Sequence, residues 1–185
     1  RLYPDGTPIE LEIIIVSGWS DWIRSAQVVS QNLNKIGVKT KVKTYDFGAW
    51  ISRMQKGDFQ LSIGWTEKGS TPYNLYKGMM SPDYLKPLGE VADVNWHRFS
   101  SDKADILLKK YEQTSDEKEI KRIIYELQKI FVESAPSIPL FAEASWAECN
   151  TTYFTNFPSA ENPYGTLSPN YEHENLFLML NVRPR

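Results

Sequence analysis

The first third of the chain alternates short apolar segments with amphipathic ones, and this alternation restricts the fold more than any other feature. Residues 9–16 are rich in isoleucine and lie between Pro8 and Gly18, which predicts a strand. Residues 38–45 and 59–65 alternate apolar and polar side chains, which predicts two more strands. Between the strands, apolar residues recur at helical spacing, at Trp22, Ala26, Val29, Leu33 and Ile36 and then at Phe47, Trp50, Ile51 and Met54. Strand–helix–strand–helix–strand order predicts an α/β fold with a mostly parallel sheet flanked by helices.

The ends of these elements carry their own signals. Ser20 or Asp21 is expected to cap the first helix, and Asp46 the second. Gly37 and Gly57 follow the two helices, where a left-handed residue is usual. Lysines alternate along the second strand, which indicates one solvated face near the edge of the sheet.

Residues 66–100 have a different composition, with many glycines, prolines, serines and asparagines, and only a short helix is predicted at 73–80. A loop-rich insertion of this length is often functional. Two amphipathic helices follow, and a capping box at 114–117 is predicted to begin the second. Strands are then predicted at 138–144 and 176–182, with mostly loop between 153 and 171.

Charge and cysteine content exclude several classes of protein. The net charge is −2 and no cluster of Lys and Arg is present, which excludes a nucleic-acid partner on electrostatic grounds. One cysteine and two histidines exclude an internal disulfide and a dedicated zinc site, and no cofactor is expected. The longest apolar runs are too short to span a membrane. The chain begins at Arg1 without an initiator Met, so we expect a mature or excised piece.

Six tryptophans and ten tyrosines are a heavy aromatic content, which serves either a core of large side chains or a ligand cleft. Ligands of open parallel sheets bind beyond the carboxyl ends of the strands. Trp19 follows the first predicted strand, and Trp65 and Glu67 close the third, so all three should share one edge. Helical periodicity favours core packing for Trp22 and Trp50, whereas the pattern leaves Trp65 open between packing and ligand contact and favours a cleft role for Trp19.

Catalytic patterns are weak. The sequence has no nucleophile elbow, no phosphate-binding loop and no dinucleotide fingerprint. If Glu143 and Glu148 both lie on one extended strand, their odd separation puts them on opposite faces, which disfavours them as a glycosidase pair. His97 is expected to be a surface or hydrogen-bonded loop residue rather than a general base. We therefore expect a binding protein, with a carbohydrate-active enzyme domain or a structural module as the alternatives from other classes.

Seven short stretches occur in one order over residues 5–145 and together resemble a known family. They are residues 33–38, 50–54, 57–61, 64–65, 98–100, 125–130 and 135–140. The family they resemble is the family 5 extracellular solute-binding proteins, which serve oligopeptide, nickel and oligosaccharide importers. The resemblance implies a type II periplasmic-binding-protein-like fold in which residues 1–185 form a single C-terminal lobe. Residues 145–185 would then return toward the hinge or the other lobe.

The same resemblance implies partners and a location. A missing N-terminal lobe of the same protein would complete the ligand cleft, and the membrane subunits of an ABC transporter would receive the ligand. The protein would lie in the periplasm or outside the cell. In the family's peptide binders, an Asp three residues after the Gly-Trp tryptophan commonly pairs with the peptide's α-amino group. Here that position is Lys68, which repels an ammonium group and favours an oligosaccharide over an oligopeptide.

The sequence thus predicts a set of ligand-binding residues without catalytic residues or metal ligands. The ligand is predicted to be a small oligosaccharide, with a peptide as the alternative. The predicted binding residues are Trp19, Trp65, Glu67, Lys68, Tyr73, Asn74, Trp96 and Arg98.

Overall fold

A computed structural model describes residues 1–67, 69, 71–142, 147–165, 167 and 172–185. The chain divides into two compact units, Arg1–Ile138 and Pro139–Arg185. The first unit contains, in order, β1 (Glu10–Val16), α1 (Ser20–Lys35), β2 (Lys39–Tyr45), α2 (Phe47–Lys56), β3 (Leu61–Ser62), α3 (Pro72–Met80), α4 (Asp102–Gln113) and α5 (Glu117–Ser134). The second unit contains β4 (Phe154–Thr155), α6 (Glu172–Asn181) and β5 (Arg183–Pro184).

The three strands of the first unit form a parallel sheet in the order β2-β1-β3, as the alternating sequence predicts. Strand β2 pairs with β1 along its whole length and lies at one edge, where its lysines are solvated. Strand β3 is shorter than predicted, because the chain leaves the sheet before Gly64. At Gly64 the backbone passes so close to Met54 and Trp96 that a Cβ would lie 3.3 Å from both side chains.

Helices α1 and α2 cover opposite faces of β1, and the isoleucine run explains why. Ile13 and Ile15 point to one face, where they pack with Trp22 and Ala26 of α1. Ile14 and Val16 point to the other face and pack with Trp50 and Met54 of α2. A strand that is buried on both faces needs a continuous apolar run rather than alternation. The predicted core positions of Trp22 and Trp50 are confirmed, since they are 7% and 0% exposed.

The helix ends follow the predictions in α2, and in α1 they do so only at the C-terminal end, where Gly37 has φ +86°. Asp46 is the N-cap of α2, and its Oδ1 accepts a hydrogen bond from the Ala49 amide at 3.0 Å. Gly57 ends α2 with φ +72°. The N-cap of α1 is Trp19, which makes no side-chain capping bond, so the predicted cap at Ser20 or Asp21 is wrong. Both residues already lie inside the first helical turn, where Asp21 meets the positive end of the helix dipole.

Removing the Asp46 cap should have a measurable cost. We expect Asp46→Ala to lower the free energy of unfolding by about 1 kcal/mol, because the Ala49 amide loses its acceptor. Asp46→Asn keeps an acceptor oxygen at this position and should lower the free energy of unfolding by only about 0.3 kcal/mol. Urea unfolding of both variants beside the parent protein measures the difference. Equal losses for the alanine and asparagine variants would contradict the capping role.

Helices α3, α4 and α5 form a second core around the fully buried side chains of Met80, Ile123 and Leu127. The predicted helix at 73–80 and the two following helices are confirmed. The predicted capping box at 114–117 is wrong in its register. Asp116 is the N-cap of α5 and accepts a hydrogen bond from the Lys118 amide, while the Thr114 hydroxyl accepts one from the Asp116 amide.

The second unit differs most from the sequence prediction. Residues 176–182 belong mainly to helix α6 and not to a closing strand, so that prediction is wrong. An unbroken run of Leu, Phe and Met fits a helix and a strand equally by periodicity, and Leu and Met are good helix formers. Residues 138–142 form no strand, and Pro139 lacks the amide that a ladder needs. No helix in the described ranges is both long and apolar enough to cross a membrane.

Candidate ligand-binding site

Three aromatic side chains meet at the carboxyl edge of the parallel sheet. Trp19 follows β1, Phe47 follows β2 and Trp65 follows β3. The ring centroids of Trp19 lie 6.0 Å from those of Phe47 and 6.3 Å from those of Trp65. Phe47 and Trp65 are 6.5 Å apart and nearly parallel, at 13°. We call these three side chains the aromatic wall, and their contacts confirm that Trp19 and Trp65 share one edge.

The aromatic wall is accessible in front and supported from behind. Phe47 is 50% exposed and Trp65 is 37% exposed, while Trp19 is half-buried. Behind the wall, buried Trp22 meets Trp19 edge-on at 5.0 Å, and buried Trp50 lies 5.2 Å from Trp65. The wall therefore offers flat apolar faces that the protein core holds in place.

Phe47 is the wall residue that sequence reasoning missed. Its spacing with Trp50 and Met54 placed it on the apolar face of a helix, but the structure leaves half of its surface exposed. A signal was available, because Phe47 follows the second strand directly. The rule that parallel strands end at one edge applies to β2 as much as to β1 and β3.

A small, partly open pocket lies beside the aromatic wall. Trp65 belongs to both, and Trp96 meets it edge-on at 5.2 Å. Glu67 reaches the pocket across the backbone of Gly78 in α3, where a Cβ would lie only 2.3 Å from the Glu67 Cγ. The pocket is lined by Trp65, Thr66, Glu67, Gly78, Met79, Val94, Asn95, Trp96 and His97.

Some polar side chains of the pocket are hydrogen-bonded within the protein, whereas the Glu67 side chain is exposed to solvent. The Asn95 side chain is 4% exposed and bonds both main-chain groups of Phe99, at 2.8 and 2.9 Å. The Trp96 indole donates to the Asp93 carbonyl at 3.0 Å. His97 lies with Nε2 2.9 Å from the Met79 carbonyl oxygen, as expected for a hydrogen-bonded loop histidine. The Glu67 carboxylate is exposed.

Arg98 stands beside the pocket but directs its guanidinium into the fold. It adopts a left-handed backbone with φ +54°. Its guanidinium nitrogens donate to the main-chain carbonyls of Trp96 at 2.6 Å, Gln55 at 2.7 Å and Glu90 at 3.0 Å. These bonds tie the segment that carries Trp96 to the C-terminal end of α2. Ligand contact by Arg98 stays a prediction, and its visible role is structural.

Tyr73 contacts α4 rather than the aromatic wall. Its ring stacks on Tyr111 with centroids 4.4 Å apart, and its hydroxyl donates to the Glu112 carboxylate. Lys77 pairs with the same carboxylate at 2.7 Å. Burial, followed by the hydrogen bond to Glu112, raises the pKa of the Tyr73 hydroxyl.

The remaining candidates are placed only in part. The Asn74 amide lies against the Gly69 backbone, where a Cβ would lie 1.5 Å from its nitrogen. Lys68 lies outside the described residues, and so does Glu143 of the disfavoured carboxylate pair. The described residues include no group of three or more His, Cys, Asp or Glu side chains that could hold a metal ion. The structure thus brings Trp19, Trp65, Glu67 and Trp96 together and leaves Tyr73 with α4.

The parallel sheet flanked by helices is the fold of type II periplasmic binding proteins. The fold is shared with the periplasmic oligopeptide-binding protein of an oligopeptide ABC transporter from Thermotoga maritima, in a crystal structure with mannohexaose bound. That structure matches with a TM-score of 0.85 and 23% identity, over 100% of this chain and 35% of that one. Residues 2–85 match the family described as bacterial extracellular solute-binding proteins, family 5 Middle. This match covers a little under half of the chain.

Two curated relatives extend the comparison. The chain is 27% identical to di/tripeptide-binding protein 4 of Pseudomonas aeruginosa over 117 residues. This match covers 63% of this chain and 21% of that protein. It is 26% identical to heme-binding protein A of Haemophilus influenzae over 151 residues. This second match covers 78% of this chain and 26% of that protein. The matched part of the chain thus spans about a fifth to a quarter of the length of these relatives.

Proposed function

We propose that this chain is part of the substrate-binding component of an ABC importer, which captures an oligosaccharide outside the cytoplasmic membrane and releases it unchanged. The match of residues 2–85 to the family 5 extracellular solute-binding proteins supports the transport role. The observation that carries the choice of ligand is the aromatic wall, where Phe47 and Trp65 present exposed, nearly parallel rings. Sugars pack their C–H faces on such rings.

The pocket beside the wall supplies the polar part of such a site. Oligosaccharides carry hydroxyl groups that both donate and accept hydrogen bonds, so a sugar site needs polar groups next to its apolar face. The Glu67 carboxylate and the Thr66 hydroxyl line the pocket next to Trp65. A sugar ring stacked on Trp65 could therefore place a hydroxyl group in the pocket.

The chain would contribute one lobe of a two-lobe protein. Residues 1–185 would be the C-terminal lobe, with residues 66–100 as the functional insertion and 145–185 as a return segment toward the hinge. The greater length of the relatives supports a further lobe in the complete polypeptide. The other partners would be the transporter's membrane subunits, with the protein held in the periplasm or outside the cell.

Peptide binding is the second candidate. The curated relatives include proteins named for di- and tripeptides, and Glu67 offers a carboxylate that suits an ammonium group. Calorimetry of the complete polypeptide with mannohexaose and with trialanine separates the two candidates. Binding of mannohexaose alone supports the proposal, whereas binding of trialanine alone would replace the sugar with a peptide. Mass spectrometry of the bound sugar should recover it intact, and cleavage would indicate an enzyme.

Trp65→Ala tests the aromatic wall directly. Truncating a central aromatic contact of an interface commonly costs about 2 kcal/mol, so we expect mannohexaose affinity to fall about 30-fold. Tyr125→Ala is the matched control, because Tyr125 is an exposed aromatic residue of α5, outside the wall. Calorimetry of both variants measures the effect. Unchanged affinity in the Trp65 variant would remove the wall from the ligand site.

A further inference from the structure

His97 lines the pocket with one ring nitrogen engaged and the other open. Its Nε2 lies 2.9 Å from the Met79 carbonyl oxygen. A carbonyl oxygen only accepts hydrogen bonds, so Nε2 carries the proton and Nδ1 of the neutral ring is an acceptor. Nδ1 has no partner within the part of the chain that the structure describes, and it is accessible to solvent. His97 therefore brings to the pocket lining an acceptor nitrogen that has no partner among the described residues.

The surroundings of His97 keep the ring neutral near pH 7. Burial is the main cause that lowers the pKa of the imidazole below its ordinary 6.5, and the positive charge of Arg98 lowers it further. The hydrogen bond to the Met79 carbonyl acts in the opposite direction. Of the charged groups nearby, Glu67 lines the same pocket, and Lys77 of α3 is paired with Glu112. Asp93, in the same segment as His97, is exposed.

We propose that Nδ1 of His97 is a ligand-binding acceptor that takes a hydrogen bond from a hydroxyl group of the bound oligosaccharide. This inference rests on the proposed function and adds a residue to its site. The Met79 carbonyl fixes the ring orientation and the tautomer, which makes the acceptor preorganised. The polar side-chain groups of the neighbouring Asn95 and Trp96 are already hydrogen-bonded to main-chain groups, so they do not compete for the same ligand hydroxyl.

The proposal has a defined pH dependence. A hydroxyl that donates to Nδ1 and a ligand that buries the ring both stabilise the neutral imidazole, so ligand binding lowers the His97 pKa further. By linkage, affinity is constant above about pH 6.5 and falls as the pH drops through the pKa of the free protein. If Nδ1 instead donated to the ligand, binding would raise the pKa and acid would strengthen binding.

An NMR titration of the complete polypeptide, with and without saturating mannohexaose, measures the His97 pKa directly. This chain contributes only two histidines, so comparison with a His97→Gln variant assigns the signal. We expect the pKa to fall on binding, with affinity unchanged from about pH 7.5 to 6.5 and decreasing at lower pH as the ring takes up a proton. The Glu67→Gln variant should keep this dependence, which separates His97 from the other titratable group of the pocket. An unchanged or raised pKa would overturn the acceptor role.

His97→Gln separates the acceptor from a merely structural role. Glutamine retains an N–H donor for the Met79 carbonyl but lacks a titratable acceptor at the position of Nδ1. We expect affinity for mannohexaose to fall about fivefold to tenfold at neutral pH and to lose its pH dependence. Parental affinity with an intact pH profile would contradict the inference. If the parent protein binds no mannohexaose, the proposed function fails and the inference with it; if it binds with an unmoved His97 pKa, only the inference fails.

Discussion

Trp50→Ala is expected to lower the free energy of unfolding by about 3–5 kcal/mol, the cost of removing a large core side chain. Trp50 is fully buried and packs α2 against Ile14 and Val16 of β1. Its indole also donates to the Ser62 hydroxyl at 3.1 Å, which links α2 to β3. The variant would therefore leave a cavity between the helix and the sheet, and the Ser62 hydroxyl would lose the indole donor while still donating to the Ile14 carbonyl.

Trp50→Phe is the matched control, since it keeps a ring in the core and loses only the indole nitrogen and part of the volume. It should cost about 1–3 kcal/mol, clearly less than alanine. Trp65→Ala should also cost less, because Trp65 is 37% exposed. Urea unfolding followed by far-ultraviolet circular dichroism compares the three. A loss below about 1 kcal/mol for the Trp50 alanine variant would show that this tryptophan does not hold the core.

Arg98→Ala should be nearly as damaging, with a loss of about 3 kcal/mol, although Arg98 is not part of a hydrophobic core. The carbonyls of Trp96, Gln55 and Glu90 would lose a charged donor. The segment that carries Trp96 and His97 would then detach from the end of α2. We expect amide hydrogen exchange in residues 90–98 to accelerate, together with weaker ligand binding.

Two further variants separate the causes of the Arg98 effect. Arg98→Lys keeps the charge, but one ammonium cannot replace a planar guanidinium at three carbonyls, so it should recover only part of the loss. Arg98→Gly should be about 1 kcal/mol more stable than the alanine variant, because glycine accepts φ +54° without strain. Equal stability of the lysine variant and the parent protein would contradict the role assigned to the three hydrogen bonds.

The sequence predicts the first unit well because its signals are local and mutually consistent. The isoleucine run requires a strand buried on both faces, and the spacing of Trp22 and Trp50 identifies the two helices that cover it. Once the parallel order is known, the shared edge of Trp19 and Trp65 follows from topology. The aromatic part of the candidate site is therefore largely readable without coordinates.

The remaining features depend on tertiary contacts that the sequence does not encode locally. The role of Arg98 comes from carbonyls that lie 8 and 43 residues away in the chain. The apolar run of α6 satisfies the pattern of a strand and of a helix, so periodicity alone could not separate them. The shortness of β3 likewise depends on the approach of Trp96 to Gly64.

The contact of so many indole rings also gives the molecule an optical property. Among the described residues, Trp19, Trp22, Trp50, Trp65 and Trp96 form one connected set with neighbouring centroids 5.0–6.3 Å apart. At such separations excitation energy migrates among the rings before emission, so the set behaves as one emitter rather than five. A molecule that quenches Trp65 at the surface therefore quenches the emission of rings it never touches. Intrinsic fluorescence thus amplifies an event at the exposed ring into a change in the emission of the whole set.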